Sequence, residues 1–115
     1  MDALKFSWME WLPWRPWRIS GAVDAADEVP DRLPPRAAVF VGTSKHPKWL
    51  MFDCPCEDNH RIAISLDPDT LPHWRVTSAP KLSLWPSVDA WRGHNRCHYV
   101  LRKGRVIWVH GTEET

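Results

Sequence analysis

No stretch of this 115-residue chain approaches the ~20 consecutive apolar residues of a membrane-spanning helix, so a span is not expected. Charge of either sign is not in excess: 15 Lys and Arg face 14 Asp and Glu, for a formal net charge of +1. That balance supplies neither a polybasic patch for a membrane surface nor the electrostatic footprint of a nucleic-acid binder. Cysteine is scarce, and three residues cannot form a closed disulfide framework. The N-terminus is apolar in flavour but carries Glu10, Arg15 and Arg18 and no small-residue cleavage pattern. This argues against a signal peptide and for a reducing, cytoplasmic setting. The G-x-S-x-G, HExxH, Walker and Rossmann signatures are all missing. The length suits one small domain.

What cysteine there is lies beside further ligand types. Residues 54–60 read Cys-Pro-Cys-Glu-Asp-Asn-His, and Cys97 is followed at once by His98. Zinc takes four thiolate or imidazole ligands in a tetrahedron, and this clustering is what such a site demands. Common knuckles use C-x2-C or wider spacing, whereas here only Pro55 separates the thiols. Pro55 fixes its own φ and biases Cys54 toward an extended conformation, so the loop loses less entropy on closing around a metal. The plainer alternative is three buried or free thiols. A Cys-Pro-Cys disulfide would be a strained small ring. The candidate ligands are therefore Cys54, Cys56, His60, Cys97 and His98, one more than a tetrahedron holds. Neighbours on a strand point to opposite faces, so a strand running from residue 97 would leave His60 as the fourth ligand, whereas a turn there would admit His98. A closed set of four suits a structural ion, since a catalytic zinc keeps a position open for water.

Tryptophan and proline are abundant, at nine and eleven residues. Trp8, Trp11, Trp14 and Trp17 recur with a strict period of three, with Pro13 and Pro16 between them. That pattern suits a polyproline II segment, or a helical turn over 1–12 broken at Pro13. The indoles either pack on the domain's own sheet or form a partner-binding edge, where Trp and Arg are enriched.

Residues 20–36 are acidic and Pro-rich and read as a surface connector. Beyond them the signal is β. Short strands are expected at 37–42, 49–53, 61–66, 74–77 and 81–85, followed by a hairpin of 99–102 and 105–109 turning at Lys103-Gly104. Residues 86–96 read as a loop or one helical turn. The expected fold is mostly β: a small single-domain barrel or sandwich of short antiparallel strands, stapled by a zinc site. Residues 1–36 form a Trp/Pro-rich segment and connector packed on the domain, 37–110 the β zinc-binding domain, and 111–115 a tail.

Catalytic signals are sparse. Ser87, in Trp85-Pro86-Ser87-Val88-Asp89, is a candidate nucleophile with Asp89 and His94 or His98 near in sequence. A serine after proline is more often a turn or cap residue, so no catalytic residue is assigned. Glu57 would be the base for a zinc-bound water if only three ligands engage.

Taken in order, Pro47-Lys48-Trp49-Leu50-Met51-Phe52, Cys54-Pro55-Cys56, His60-Arg61-Ile62, Pro72-His73-Trp74-Arg75-Val76, Leu82 to Val88, Cys97-His98-Tyr99 and Arg102 to Val106 resemble a family of small bacterial proteins with a Cys-Pro-Cys knuckle. Such proteins accompany bacterial ubiquitin-like conjugation systems. The resemblance covers about residues 35–109. Many relatives look like Cys-x-Ser-His-Phe where this chain has Asn95-Arg96-Cys97-His98-Tyr99, so Cys97 or His98 would replace the usual thiolate. The resemblance implies a zinc-binding accessory or adaptor protein that acts by protein–protein binding. Its partner would be the ubiquitin-like protein or its conjugating machinery, and an anti-phage role extends the same resemblance. The alternative it implies is a zinc-dependent hydrolase or peptidase acting on the conjugates.

Overall fold

Among the described residues, nine short strands form three small sheets. The computed structural model describes residues 6–43, 45–56, 60–78, 81–92 and 95–109. Glu57, His94, His110 and the tail 111–115 lie outside the described residues. The largest sheet has the order β1 (Arg18–Val23), β2 (Ala37–Gly42), β3 (Pro47–Asp53) and β4 (Arg61–Ser65). A two-stranded sheet pairs β5 (Arg75–Thr77) with β6 (Ser83–Trp85), and a third joins β7 (Val88–Arg92), β8 (Asn95–Arg102) and β9 (Arg105–Trp108). The fold is mostly β, as the alternation predicts. No helix among the described residues is long and apolar enough to cross a membrane.

The registers show why these residues pair. Ala38, Phe52 and Ile62 stand in one row, and Phe40, Leu50 and Ile64 in the next, all on one face of the first sheet. That face packs on Leu82, Leu84, Val88, Tyr99 and Leu101 from β6, β7, β8 and the approach to β6. Complete burial of a side chain such as Leu50 or Phe52 contributes about 1.5–3 kcal/mol. The opposite face of β2 carries Val39 and Val41, which pack on Val29 and Leu33. β2 is thus covered on both sides, which explains its nearly uninterrupted apolar sequence.

Three expectations are corrected here. Residues 20–36 are more than a surface connector: Val29, Leu33 and Pro34 are buried. Arg61 fastens this segment by donating to the carbonyls of Pro30 and Asp31 at 2.9 and 3.0 Å while pairing with Asp53 at 2.8 Å. Second, β1 lies where no strand was expected and runs parallel to β2, with a register shift between Ile19 and Gly21 that breaks its alternation. Third, within 86–96 Val88–Arg92 is β7 and residues 95–96 begin β8, in place of a loop or helical turn. Val88 and Ala90 alternate with Asp89 there, a period-two pattern obscured by flanking Pro and Gly.

The β8–β9 hairpin follows its turn chemistry. Lys103 and Gly104 both have positive φ, at 52° and 78°, as a two-residue type I′ turn requires. Gly104 has a second reason to lack a side chain. A Cβ there would approach Pro16 Cβ to 3.0 Å, and the Trp17 N–H donates to the Gly104 carbonyl at 2.9 Å. This close approach lays the N-terminal segment along the hairpin. Glu10 anchors the same segment through Arg18 at 2.7 Å and Arg15 at 3.0 Å, and it accepts from the Ser20 hydroxyl at 2.8 Å.

Candidate metal centre and candidate active site

β8 carries chemistry on both of its faces. Cys97, Tyr99 and Leu101 point inward and are buried, and His98, between Cys97 and Tyr99, points the other way. The inner face meets the β3–β4 turn. There the Cys54 N–H donates to the His60 carbonyl at 2.8 Å, drawing the two ends of the turn together.

One ligand atom from each of Cys54, Cys56, His60 and Cys97 lies within 4.8 Å of the other three. Cys97 Sγ is 3.7 Å from His60 Nε2, and the Tyr99 hydroxyl donates to Cys54 Sγ at 3.5 Å. A tetrahedron with metal–ligand distances of about 2.0–2.3 Å has edges of about 3.3–3.8 Å, so a small contraction would close this set on one ion. Burial and mutual proximity keep these thiols protonated unless a cation is beside them. Burial, then the nearby Cys56 and Cys54 thiols, push the Cys97 thiol up to about 12. Burial also raises Cys54, against the opposing effect of the Tyr99 hydroxyl bond. A divalent ion reverses that penalty by stabilising the thiolates. Three sulfurs and one imidazole nitrogen fit zinc chemistry, and these four residues could hold a metal ion.

His98 stands apart from this cluster. Because β8 is already extended at residue 97, Cys97 and His98 face opposite sides of the sheet. His98 Nε2 instead lies 3.0 Å from Ser87 Oγ. Asp89 is the direct cross-strand partner of His98 in the β7–β8 register. Ser87 immediately precedes β7, two residues before Asp89, so period-two alternation places Ser87, Asp89 and His98 on the same outer face. The Trp74 indole N–H donates to the Ser87 carbonyl at 3.2 Å and fixes the backbone there. The Asp89 carboxylate accepts two bonds from Arg96, at 2.7 and 2.6 Å. Those bonds hold the Asp89 carboxyl below the usual carboxylate range, and the charges of Arg96 and His98 add to the effect.

The Ser87–His98 separation is of the length that a nucleophile–base contact requires, and Asp89 is the cross-strand neighbour of the imidazole. Sequence spacing offers Ser87 and Asp89 with His94 or His98, but turn roles are the commoner ones for Ser87 and Asp89, and His98 reads as a candidate metal ligand. Only the pairing of β7 with β8 brings them to one face.

The four tryptophans separate. Trp17 is buried in the core and packs edge-on against Phe52 with ring centroids 5.5 Å apart. Trp8 and Trp14 are each 74% exposed, and Trp11 is 37% exposed. The period of three holds only locally. Trp8–Trp11 is one 3-10 turn, whose i and i+3 side chains share a face, and the chain turns extended at Leu12 before Pro13.

Comparison with protein families gives a match over residues 25–109 to BubE, described as the bacterial ubiquitination-like system serine protease. The chain belongs to the BubE family. Comparison with curated proteins and with solved structures gives no match. Membership associates the chain with bacterial ubiquitination-like systems. The matched region contains both the Cys/His cluster and the Ser87–His98 pair. The segment bearing Trp8, Trp11, Trp14 and Trp17 precedes it.

Proposed function

We propose that this BubE-family chain is a serine protease of a bacterial ubiquitination-like system, with Ser87 as nucleophile and His98 as general base. The observation that carries the reading is the 3.0 Å contact between Ser87 Oγ and His98 Nε2 on the outer face of β8. The family description, which names a serine protease, supports it. In the acylation step Ser87 Oγ bonds to the substrate carbonyl carbon while its proton passes to His98 Nε2. Collapse of the tetrahedral intermediate breaks the C–N bond, and the imidazolium returns the proton to the departing amine. Water then attacks the acyl-serine, giving its proton to His98, and Ser87 Oγ leaves with that proton. Asp89, ionised and opposite His98, stabilises the transient imidazolium, and Arg96 holds Asp89 in place.

Cys54, Cys56, His60 and Cys97 would hold a zinc ion that joins the β3–β4 turn to β8. With four protein ligands the ion has no open position, so its contribution is to folding and to the placement of β8. This differs from a zinc hydrolase using Glu57. The substrate in this reading is a peptide bond in a ubiquitin-like protein of the same system, in a bacterial cytoplasm and in the setting of phage defence. A second reading, an adaptor that binds without chemistry, draws support from the exposed Trp8 and Trp14. A fluorophosphonate probe separates the two. The protease reading expects one covalent adduct per chain, located by mass spectrometry at Ser87 and absent in Ser87→Ala. Lack of labelling in the folded, metal-loaded protein, together with an uncleaved ubiquitin-like precursor, would leave the adaptor reading.

A further inference from the structure

A wide groove lies away from Ser87, which is not among its lining residues. It has a volume of about 1510 Å³ and runs between the N-terminal segment, residues 31–36 and β9. Its walls include Trp11, Trp14 and Trp108. Trp108 is the cross-strand partner of Tyr99 and stacks edge-on against it, with ring centroids 5.3 Å apart. The groove therefore opens on the metal-bearing face of β8, opposite the face of Ser87 and His98.

Two independent features say what fits there. The first is charge. Six basic side chains line the groove against two carboxylates, Asp31 and Asp53. Arg61 is spent on Asp53, and Arg15 on Glu10. Arg32, Lys81 and Arg105 form no ion pair with any other described residue. Arg32 instead lies over the Trp11 ring at 5.4 Å, which leaves its charge available at the groove wall.

The second feature is backbone. β9 is the outer strand of its sheet, and no described strand pairs with its far edge. The Val109 N–H donates to the His98 carbonyl at 3.0 Å, which sets the phase of the ladder. By antiparallel alternation, Ile107 and Arg105 then bond to β8, whereas Val106 and Trp108 turn their N–H and C=O groups toward the free edge. Val106 and Trp108 both line the groove. An exposed edge of this kind templates an added strand, and only a polypeptide matches its donors and acceptors.

We propose that the groove binds an extended acidic segment of a protein partner, which adds as a strand to the outer edge of β9. Alternate side chains of the segment would lie against Trp11, Trp14 and Trp108, and its carboxylates would meet Arg32, Lys81 and Arg105. Most of the groove lies within the family match, and the N-terminal segment that precedes the match adds the wall bearing Trp11 and Trp14.

The test uses the full metal-loaded chain and a fluorescent peptide that alternates glutamate with valine. Fluorescence anisotropy should show saturable binding, with its lysine-for-glutamate counterpart not binding. Lys81→Glu with Arg105→Glu should weaken binding about tenfold or more, as expected for removing charge-assisted contacts, without changing the melting temperature. Hydrogen exchange at the Val106 and Trp108 amides should slow in the complex. The proposal falls if the lysine peptide binds equally, if the double variant binds as wild type, or if those two amides stay unprotected. Tighter binding of a single-stranded oligonucleotide, with the same sensitivity to the variant, would overturn it in favour of nucleic acid. Ser87→Ala should bind the peptide as wild type does, so failure here leaves the protease reading untouched.

Discussion

The two faces of β8 carry opposite kinds of chemistry from adjacent residues. On the inner face Cys97 is buried, close to three other ligand-type side chains, and its thiol is pushed up to about 12. On the outer face His98 is only half-buried and meets one hydroxyl. Burial explains the contrast. Thiols buried this far ionise only beside a cation, so an ion held there would tie the β3–β4 turn to β8. A half-buried serine–imidazole contact costs little to maintain and, in the protease reading, stays reachable by substrate. The strand itself couples the two, because an ion that fixes Cys97 also fixes the backbone that carries His98.

Substitutions on the two faces should therefore separate activity from stability. The largest effect expected is on the outer face. Ser87→Ala should abolish fluorophosphonate labelling and lower proteolysis by on the order of a thousandfold or more, with the melting temperature unchanged. An equal loss of stability would mean that Ser87 is a structural residue. The mirror experiment is on the inner face. Cys97→Ser, or treatment with a strong chelator, should destabilise the fold by several kcal/mol, read as a large fall in melting temperature. A variant that melts normally but is inactive would break the division between the faces.

Intermediate effects refine it. Asp89→Asn should reduce turnover roughly tenfold, without loss of metal, if its charge supports the imidazolium. Tyr99→Phe, which removes the hydroxyl bond to Cys54 Sγ, should weaken metal affinity by about tenfold or more while leaving probe labelling of the loaded protein unchanged.

The smallest effect lies outside both faces, at Glu10. Burial raises its pKa, but hydrogen bonds from Ser20 and Arg18, with the Arg18 charge, outweigh this and hold it below the ordinary 4.5. A carboxyl lowered on folding stabilises the protein above its unfolded-state value. That stabilisation is lost as pH falls through the folded value. Glu10→Gln should cost about 1 kcal/mol at neutral pH, and the gap from wild type in denaturant titrations should close as the pH is taken below 4.5. A gap that persists in acid would assign the loss to packing.

Much of this protein was legible in its residues. Alternation in Arg61–Ser65 and the Lys103-Gly104 turn sufficed for strands and a hairpin, because period-two burial and positive φ are local requirements. Cys54, Cys56 and His60 were legible as a candidate ligand group for a similar reason: they sit together in the chain. What failed were elements whose partners are remote. β1 has a broken alternation and is held by parallel pairing with β2, and β7 is flanked by turn-like residues and held by β8. Residues 20–36 read as a surface connector by composition, yet Val29 and Leu33 cover a sheet face that exists only after β2 and β3 have paired.

The sequence by itself therefore determined a β-rich chain with a cluster of zinc-type ligands, since spacing and periodicity are properties of neighbours. Tertiary structure alone decided which histidine joined the thiols and which met Ser87. Cys97 and His98 are adjacent and equivalent in the sequence. They are separated by the pleat of β8, and the register against β7 and the side covered by the first sheet sent one inward and the other out.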